Sequence, residues 1–282
     1  MKNAFVSSIG CRVAVMRALG RALRVDLHRS VCSGTFLLTV ALILAWMCFN
    51  CSNSLFNESI RQNTSAPRIL YDATCSRMGL APLLFAIGTI PYAGSYLLDR
   101  SSGFENQVME RVGCRAYGLS RAFSVAISAC LAAVAAMALF LGALYCLDLP
   151  APPARPEGMG YLDLAAEGNL VSYYLVRITI TGLSCGLAAE FGLMVTGWIA
   201  NSFVGLMAPL VGYYLYEVLF YFGGVMLGWP TLYGMFNLGG VVFAQGFQDP
   251  YFSFLWSSVF LLAATVLCGR GFLHRLGKEM GE

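Results

Sequence analysis

Long apolar runs separated by short polar stretches make up most of the sequence. An α-helix needs about 20 residues to cross a bilayer, and six runs have approximately that length: 31–51, 78–98, 122–147, 171–196, 204–227 and 250–269. Between the fourth and fifth runs, Asn201 and Ser202 mark a tight turn. The pattern predicts an all-α polytopic membrane protein, in which residues 30–282 form a single transmembrane domain of six helices.

The first 29 residues have a basic, amphipathic pattern. Apolar and small residues fall on one helical stripe, namely Ile9, Val13, Met16, Gly20, Leu23 and Leu27. Arginines flank the stripe, and Asp26 is the single acid among six basic residues. Such a helix lies in the headgroup layer with its arginines reaching the polar surface. We therefore expect an interface helix over 1–29, the alternative being a soluble basic tail.

A second amphipathic segment, Asp99–Arg121, lies between the second and third spans. Ser102 is a suitable N-cap, and Glu105 follows three residues later, where a capping box requires an acid. Gly113 is placed to end the helix in a left-handed conformation. The spacing predicts a short helix between these residues.

This short helix is expected to have one apolar face. Phe104, Val108 and Val112 recur at every fourth residue. The charged residues between them, Glu105, Glu110 and Arg111, are expected to face elsewhere.

Lysine and arginine are concentrated on one side of this topology. The segments 1–29, 99–121 and 270–282 hold six, four and three of them, whereas all the opposite segments together hold four. By the positive-inside rule, both termini and the short helix lie in the cytoplasm. The broken apolar stretch 228–249 is predicted to be re-entrant, because a seventh span would place the basic tail outside.

Composition supports the membrane class and argues against other classes. The chain is 58% hydrophobic and 12% charged, against about 25% charged residues in soluble domains. No basic patch with interleaved aromatics indicates nucleic acid binding. The sequence has two histidines and no HExxH, GxSxG or P-loop motif, so we expect neither an enzyme nor a metal or cofactor site in this chain.

Three charged residues fall inside predicted spans: Arg177, Glu190 and Glu217. Intramembrane charges are costly, which makes them functional candidates. Arg177 is expected to reach toward the interface, and Glu217 either bonds a neighbouring helix or carries a proton or substrate. The aromatics of the fifth span either line a cavity for amphipathic molecules or face lipid: Tyr213, Tyr214, Tyr216, Phe220, Tyr221 and Phe222.

The ten cysteines are scattered along the chain. A Cys51–Cys75 disulfide would close the loop after the first span. Free cysteines that act as small hydrophobic residues are the alternative.

This layout resembles the membrane (permease) subunits of bacterial type-two ABC exporters. The motif-level similarity lies in the inner segment, where such permeases carry an acid, a glycine, an Arg-x-Gly, an aromatic and a basic residue. Here these are Asp99, Gly103, Arg111, Gly113, Tyr117 and Arg121. The sequence has Ser-Ser-Gly-Phe where the commoner form has Glu-x-Gly-Thr, which indicates a divergent branch.

The resemblance implies a six-span permease that binds a separate ATPase, which carries ATP and Mg. The helix between spans two and three, with the N-terminal helix, would transmit ATPase movement, and Arg111 and Arg115 would pair with acids on the ATPase. A second permease subunit, the same chain or a homologue, completes such a transporter in the cytoplasmic membrane. Its cargo would be an exported peptide, drug or other amphipathic molecule. The alternatives are a proton-coupled transporter centred on Glu217 and a non-transporting scaffold or immunity protein.

Overall fold

The computed structural model describes residues 19–74, 81–91, 95–147, 161–226 and 249–279, with isolated positions at 149, 228, 236, 238 and 242. All regular structure in these ranges is helical, which confirms the all-α class. The helices are α1 (Leu19–Val31), α2 (Gly34–Asn50), α3 (Ser52–Phe56), α4 (Glu58–Arg61), α5 (Ala66–Thr74), α6 (Ala81–Gly88), α7 (Ser95–Ser101), α8 (Phe104–Val112), α9 (Cys114–Tyr145), α10 (Leu162–Ala166), α11 (Leu170–Trp198), α12 (Ser202–Met226) and α13 (Pro250–Glu279).

Four of the described helices, α9, α11, α12 and α13, are long and apolar enough to cross a membrane. The pair α1 and α2 passes the same test together, with a bend of 54° between them, and gives a fifth candidate. The bend lies at residues 32–33, near the boundary predicted at residue 30, and residues 1–18 of the predicted interface helix lie outside the described residues. The long apolar helices are those expected of a helical membrane protein.

Helix α11 lies at the centre of the bundle and packs against α9, α13, α12 and α6. Small residues allow the close approach to α9. A Cβ added at Gly186 would lie 3.2 Å from the carbonyl oxygen of Ala126, and one at Gly182 would lie 3.0 Å from the sulfur of Cys130. Glycines at such crossings bring membrane helices into backbone contact.

The predicted second span, 78–98, is not one continuous helix. Helix α6 has eight residues and α7 has seven, and neither alone has the length of about 20 residues that a span needs. A turn after Gly88 interrupts the segment. Gly88 is in tight contact with α11, since a Cβ there would lie 3.0 Å from the Cβ of Cys185.

The short predicted helix exists as α8, but its N-terminal cap differs from the prediction. The N-cap is Gly103, with a left-handed φ of 72°, and no side chain caps the helix. Ser102 instead donates its hydroxyl to the carbonyl of Asp99, 3.0 Å away, at the end of α7. Gly113 ends the helix as predicted and has a positive φ of 89°, but its ψ of 145° lies outside the left-handed helical region.

The predicted apolar face of α8 is also wrong. Phe104 is 44% exposed, whereas Glu105 is only 6% exposed and lies with Met109 on the buried face. Val108 and Val112 are half-buried. The helix is rotated toward its acidic residue, because contacts with α7 and α9 decide which face is covered.

The predicted turn between α11 and α12 is confirmed at residues 199–201. Asn201 caps α12, with its side-chain oxygen accepting from the amides of Phe203 at 2.9 Å and Val204 at 3.4 Å. Such a cap satisfies amides that have no partner within the helix. The re-entrant element predicted over 228–249 lies outside the described residues, apart from the isolated positions named above.

Candidate functional site: a buried charge cluster

Four charged side chains from three helices meet at one end of the bundle. We call Asp26, Arg29, Asp99 and Arg121, together with Ser120, the Arg121 cluster. Asp26 and Arg29 lie on α1, Asp99 on α7, and Ser120 and Arg121 near the start of α9. Arg121 is fully buried, and Asp26 and Asp99 are both buried.

Arg121 connects the two acids of the cluster. Its Nη2 forms an ion pair with Oδ2 of Asp99, and its Nη1 lies 3.5 Å from Oδ1 of Asp26. Nη1 also donates to the hydroxyl of Ser95 at 3.2 Å. Ser120 donates its hydroxyl to Oδ2 of Asp26 at 2.6 Å. These contacts tie α1, α7 and α9 together through a single guanidinium.

Arg29 contacts Asp99, and Tyr117 contacts Arg121. Arg29 donates from Nη2 to Oδ1 of Asp99 at 3.4 Å, but its side chain is 45% exposed, so this pair contributes little. The ring of Tyr117 lies 5.5 Å from the Arg121 guanidinium, in cation–π range. Two positive and two negative charges therefore balance within the cluster.

Apolar packing joins the C-terminal helix to the same end. Tyr96 of α7 meets Phe272 of α13 edge to face, with 5.1 Å between ring centroids. At Gly118, one helical turn before Arg121, an added Cβ would lie 3.1 Å from Cδ2 of Leu276. Four helices thus converge around the cluster, and a shift of one changes its contacts with the others.

The predicted coupling residues separate into two groups. Asp99, Tyr117 and Arg121 are buried in or beside the cluster. Arg111 and Arg115 are exposed on the other side of α8 and at the start of α9. The buried members hold helices together, and the exposed members lie at the surface of the bundle.

Sequence reasoning missed Asp26, Arg29 and Ser120 as members of the Arg121 cluster, and Ser95 as a contact of Arg121. A signal for Asp26 was present: it is the one acid of a basic segment, and it falls between Leu23 and Leu27 of the apolar stripe. A lone acid on an apolar helical face requires a buried partner. Ser95 and Ser120 carry no comparable signal in the sequence.

The intramembrane charges differ in their surroundings. The expectation that Arg177 reaches toward the interface is wrong: it is 1% exposed, donates to the carbonyl of Val242 at 3.0 Å and bonds the hydroxyl of Thr74. Glu190 is 2% exposed and faces α13, where a Cβ on Gly269 would lie 3.8 Å from Oε2. Glu217 is half-buried on α12.

The structure does not show the predicted Cys51–Cys75 disulfide, because Cys51 is a free thiol in it. Cys51 is buried, and its thiol donates to the carbonyl of Met47 at 2.9 Å. Cys75 lies outside the described residues. Among the described residues, no three His, Cys, Asp or Glu side chains group as a metal site would require.

Comparison with known proteins gives no relative. No family model, curated protein or solved structure matches the chain.

Proposed function

We propose that this chain is the permease subunit of an ATP-binding-cassette exporter, driven by a separate ATPase. In this proposal α6 and α7 together form one broken span, which gives six spans with 78–98 included. The end that carries the Arg121 cluster faces the cytoplasm. The cluster is the observation that carries the proposal, because it links the short helix region to two other helices through buried charges.

Helix α8 has the properties of a docking element. Gly103 and Gly113, both with positive φ, separate it from α7 and α9, so it forms a short rigid unit of its own. Asn106, Gln107 and Arg111 are exposed on the face away from the bundle. This polar face suits contact with a soluble ATPase.

The cluster supplies the connection from this docking element to the spans. Asp99 lies at the end of α7, a few residues before α8, and Arg121 lies two turns into α9. A displacement of α8 acts on both helices, and the Asp99–Arg121–Asp26 contacts carry it on to α1. Buried ion pairs resist separation because a broken pair leaves an uncompensated charge.

Copurification tests the proposal. The full-length chain, affinity-tagged and extracted from its native host, is expected to bring down a stand-alone ABC ATPase. ATP hydrolysis by that complex is expected to respond to transported compounds. The proposal fails if the chain purifies without an ATPase while its transport follows the proton gradient and is lost in Glu217→Gln.

Charge reversal on α8 gives a sharper prediction. Arg111→Glu is expected to weaken association with the ATPase about tenfold, or about 1.4 kcal/mol. In the proposal the ATPase presents acids to Arg111, and a glutamate at this position would repel them. Binding is measured by titrating the purified ATPase against the permease in nanodiscs. Arg61→Glu, on the distant helix α4, is the matched control and is expected to bind as the wild type does. Equal affinities for the two variants would remove α8 from the interface.

A further inference from the structure

An apolar cavity of about 200 Å³ lies between α6, α11, α12 and α13. Aromatic and aliphatic side chains from all four helices line it, among them Phe85, Phe191, Pro209, Tyr213, Phe260 and Leu261. Phe85 and Tyr213 contact each other in its wall, with ring centroids 5.9 Å apart and ring planes tilted by 44°. The cavity is separate from the Arg121 cluster, since the two have no residue in common.

The hydroxyls of Ser184 and Tyr216, two polar groups of the lining, are engaged within the protein. No charged side chain is present among the lining residues that the structure describes. Ser184 donates its hydroxyl to the carbonyl of Ile180 at 2.8 Å, and Tyr216 donates to the carbonyl of Phe236 at 2.7 Å. A polar group on a guest would therefore find few hydrogen-bond partners in the cavity, and its burial there would cost free energy.

We propose that this cavity binds an uncharged hydrocarbon group, either an aromatic ring or a segment of an acyl chain. A cavity of about 150 Å³ lined by similar side chains stays free of water and takes up benzene, and this one is slightly larger. Close contact with several rings supplies dispersion attraction, which grows with the number of touching atoms. The cavity would therefore select a guest by its shape and its lack of polar groups.

Two sources offer such a group: the acyl chain of a membrane lipid and a small apolar compound. Both present the same chemistry to the cavity. The inference does not rest on the proposed transport function, because it concerns only the residues that line the cavity, which are those of the four helices together with Leu238 and Val242. Its test is therefore separate from ATPase binding.

Photocrosslinking of the full chain in lipid nanodiscs tests the proposal. One arm uses a phospholipid with a diazirine in the middle of its acyl chain, and the other uses an uncharged phenyl diazirine. Mass spectrometry then locates the label. The expected result is stronger labelling of Phe191 and Tyr213 than of Leu215 and Leu219, which face outward on the same α12 as Tyr213. The probe that gives this pattern identifies the source.

Neighbouring alanines on α13 provide a matched pair of variants. Ala264 lines the cavity, whereas Ala263 is exposed beside it. Ala264→Phe is expected to lower cavity labelling at least about fivefold, because a phenyl group takes up much of the space; Ala263→Phe is expected to leave it unchanged. Equal labelling in the two variants overturns the proposal. Wild-type labelling of the lining no stronger than that of Leu215 and Leu219 also overturns it, whether or not Ala264→Phe folds.

Discussion

Arg121→Ala is expected to destabilise the folded protein by about 3–5 kcal/mol, the usual cost of removing one partner from a buried ion pair. Arg121 is fully buried and bridges Asp99 and Asp26. Without the guanidinium, two carboxylates stay close together in a region with little water. Their mutual repulsion and their desolvation both favour separation of α1, α7 and α9.

Thermal unfolding of purified protein in one detergent measures the effect as a fall in Tm. Arg111→Ala is the control, because Arg111 is exposed on α8, and its Tm is expected to stay close to that of the wild type. Arg121→Lys keeps the charge but loses the planar fork, so an intermediate Tm is expected.

A combined variant separates the loss of charge balance from the loss of packing. Arg121→Met together with Asp26→Asn and Asp99→Asn removes the three buried charges at once and leaves only Arg29, whose side chain is 45% exposed. Replacement of a whole buried ion triad is often neutral. Its Tm is expected to lie well above that of Arg121→Ala. The charge interpretation is wrong if Arg121→Ala has the same Tm as the control Arg111→Ala. It is also wrong if the Tm of the combined variant is no higher than that of Arg121→Ala.

The long helices were predictable because their length and apolar composition follow from the thickness of the bilayer. Helices α9, α11, α12 and α13 each cover all or nearly all of one predicted span. Helix α9 begins eight residues before its predicted start, and α13 ends ten residues after its predicted end. These extensions carry polar residues such as Arg121 at the start of α9 into regular helix. A span predicted from hydropathy ends at such residues, because hydropathy contains no information on the buried partner that compensates their charge.

The cap of α8 was not predictable from its local motif. Ser102 and Glu105 match a capping box, but Gly103 between them adopts a left-handed conformation and ends the preceding helix α7. The end of α7 and the start of α8 fall within Ser101–Phe104, and the left-handed conformation of Gly103 separates the two helices. A pattern that describes one helix at a time does not contain this information.

Burial of Asp26, Glu105 and Arg177 also depended on contacts between distant segments. Periodicity gives the face of a helix on which a residue lies but not what packs against that face. Arg177 finds Thr74 from α5 and the carbonyl of Val242, which are far from it in the chain. The sequence therefore located Arg177 within an apolar helix, but its partners came only from the fold.

Gly192→Ala is expected to destabilise the protein by about 1–3 kcal/mol, the usual cost of overpacking. Helices α11 and α12 cross at this point. A Cβ on Gly192 would lie 2.7 Å from the carbonyl oxygen of Gly205, which is closer than a carbon and a backbone oxygen tolerate. The oxygen belongs to a helix backbone and cannot rotate away, so the two helices must separate.

Other helical glycines give a graded series for this prediction. At Gly186 the corresponding Cβ would lie 3.2 Å from the carbonyl oxygen of Ala126, and at Gly142 nothing lies within 4 Å. Gly186→Ala is expected to cost less than Gly192→Ala, and Gly142→Ala to be neutral or to gain up to about 1 kcal/mol from helix propensity. Tm values of the three variants in one detergent measure the order. If Gly142→Ala costs as much as Gly192→Ala, close packing is not the reason for glycine at residue 192, and the contact between α11 and α12 is looser than described.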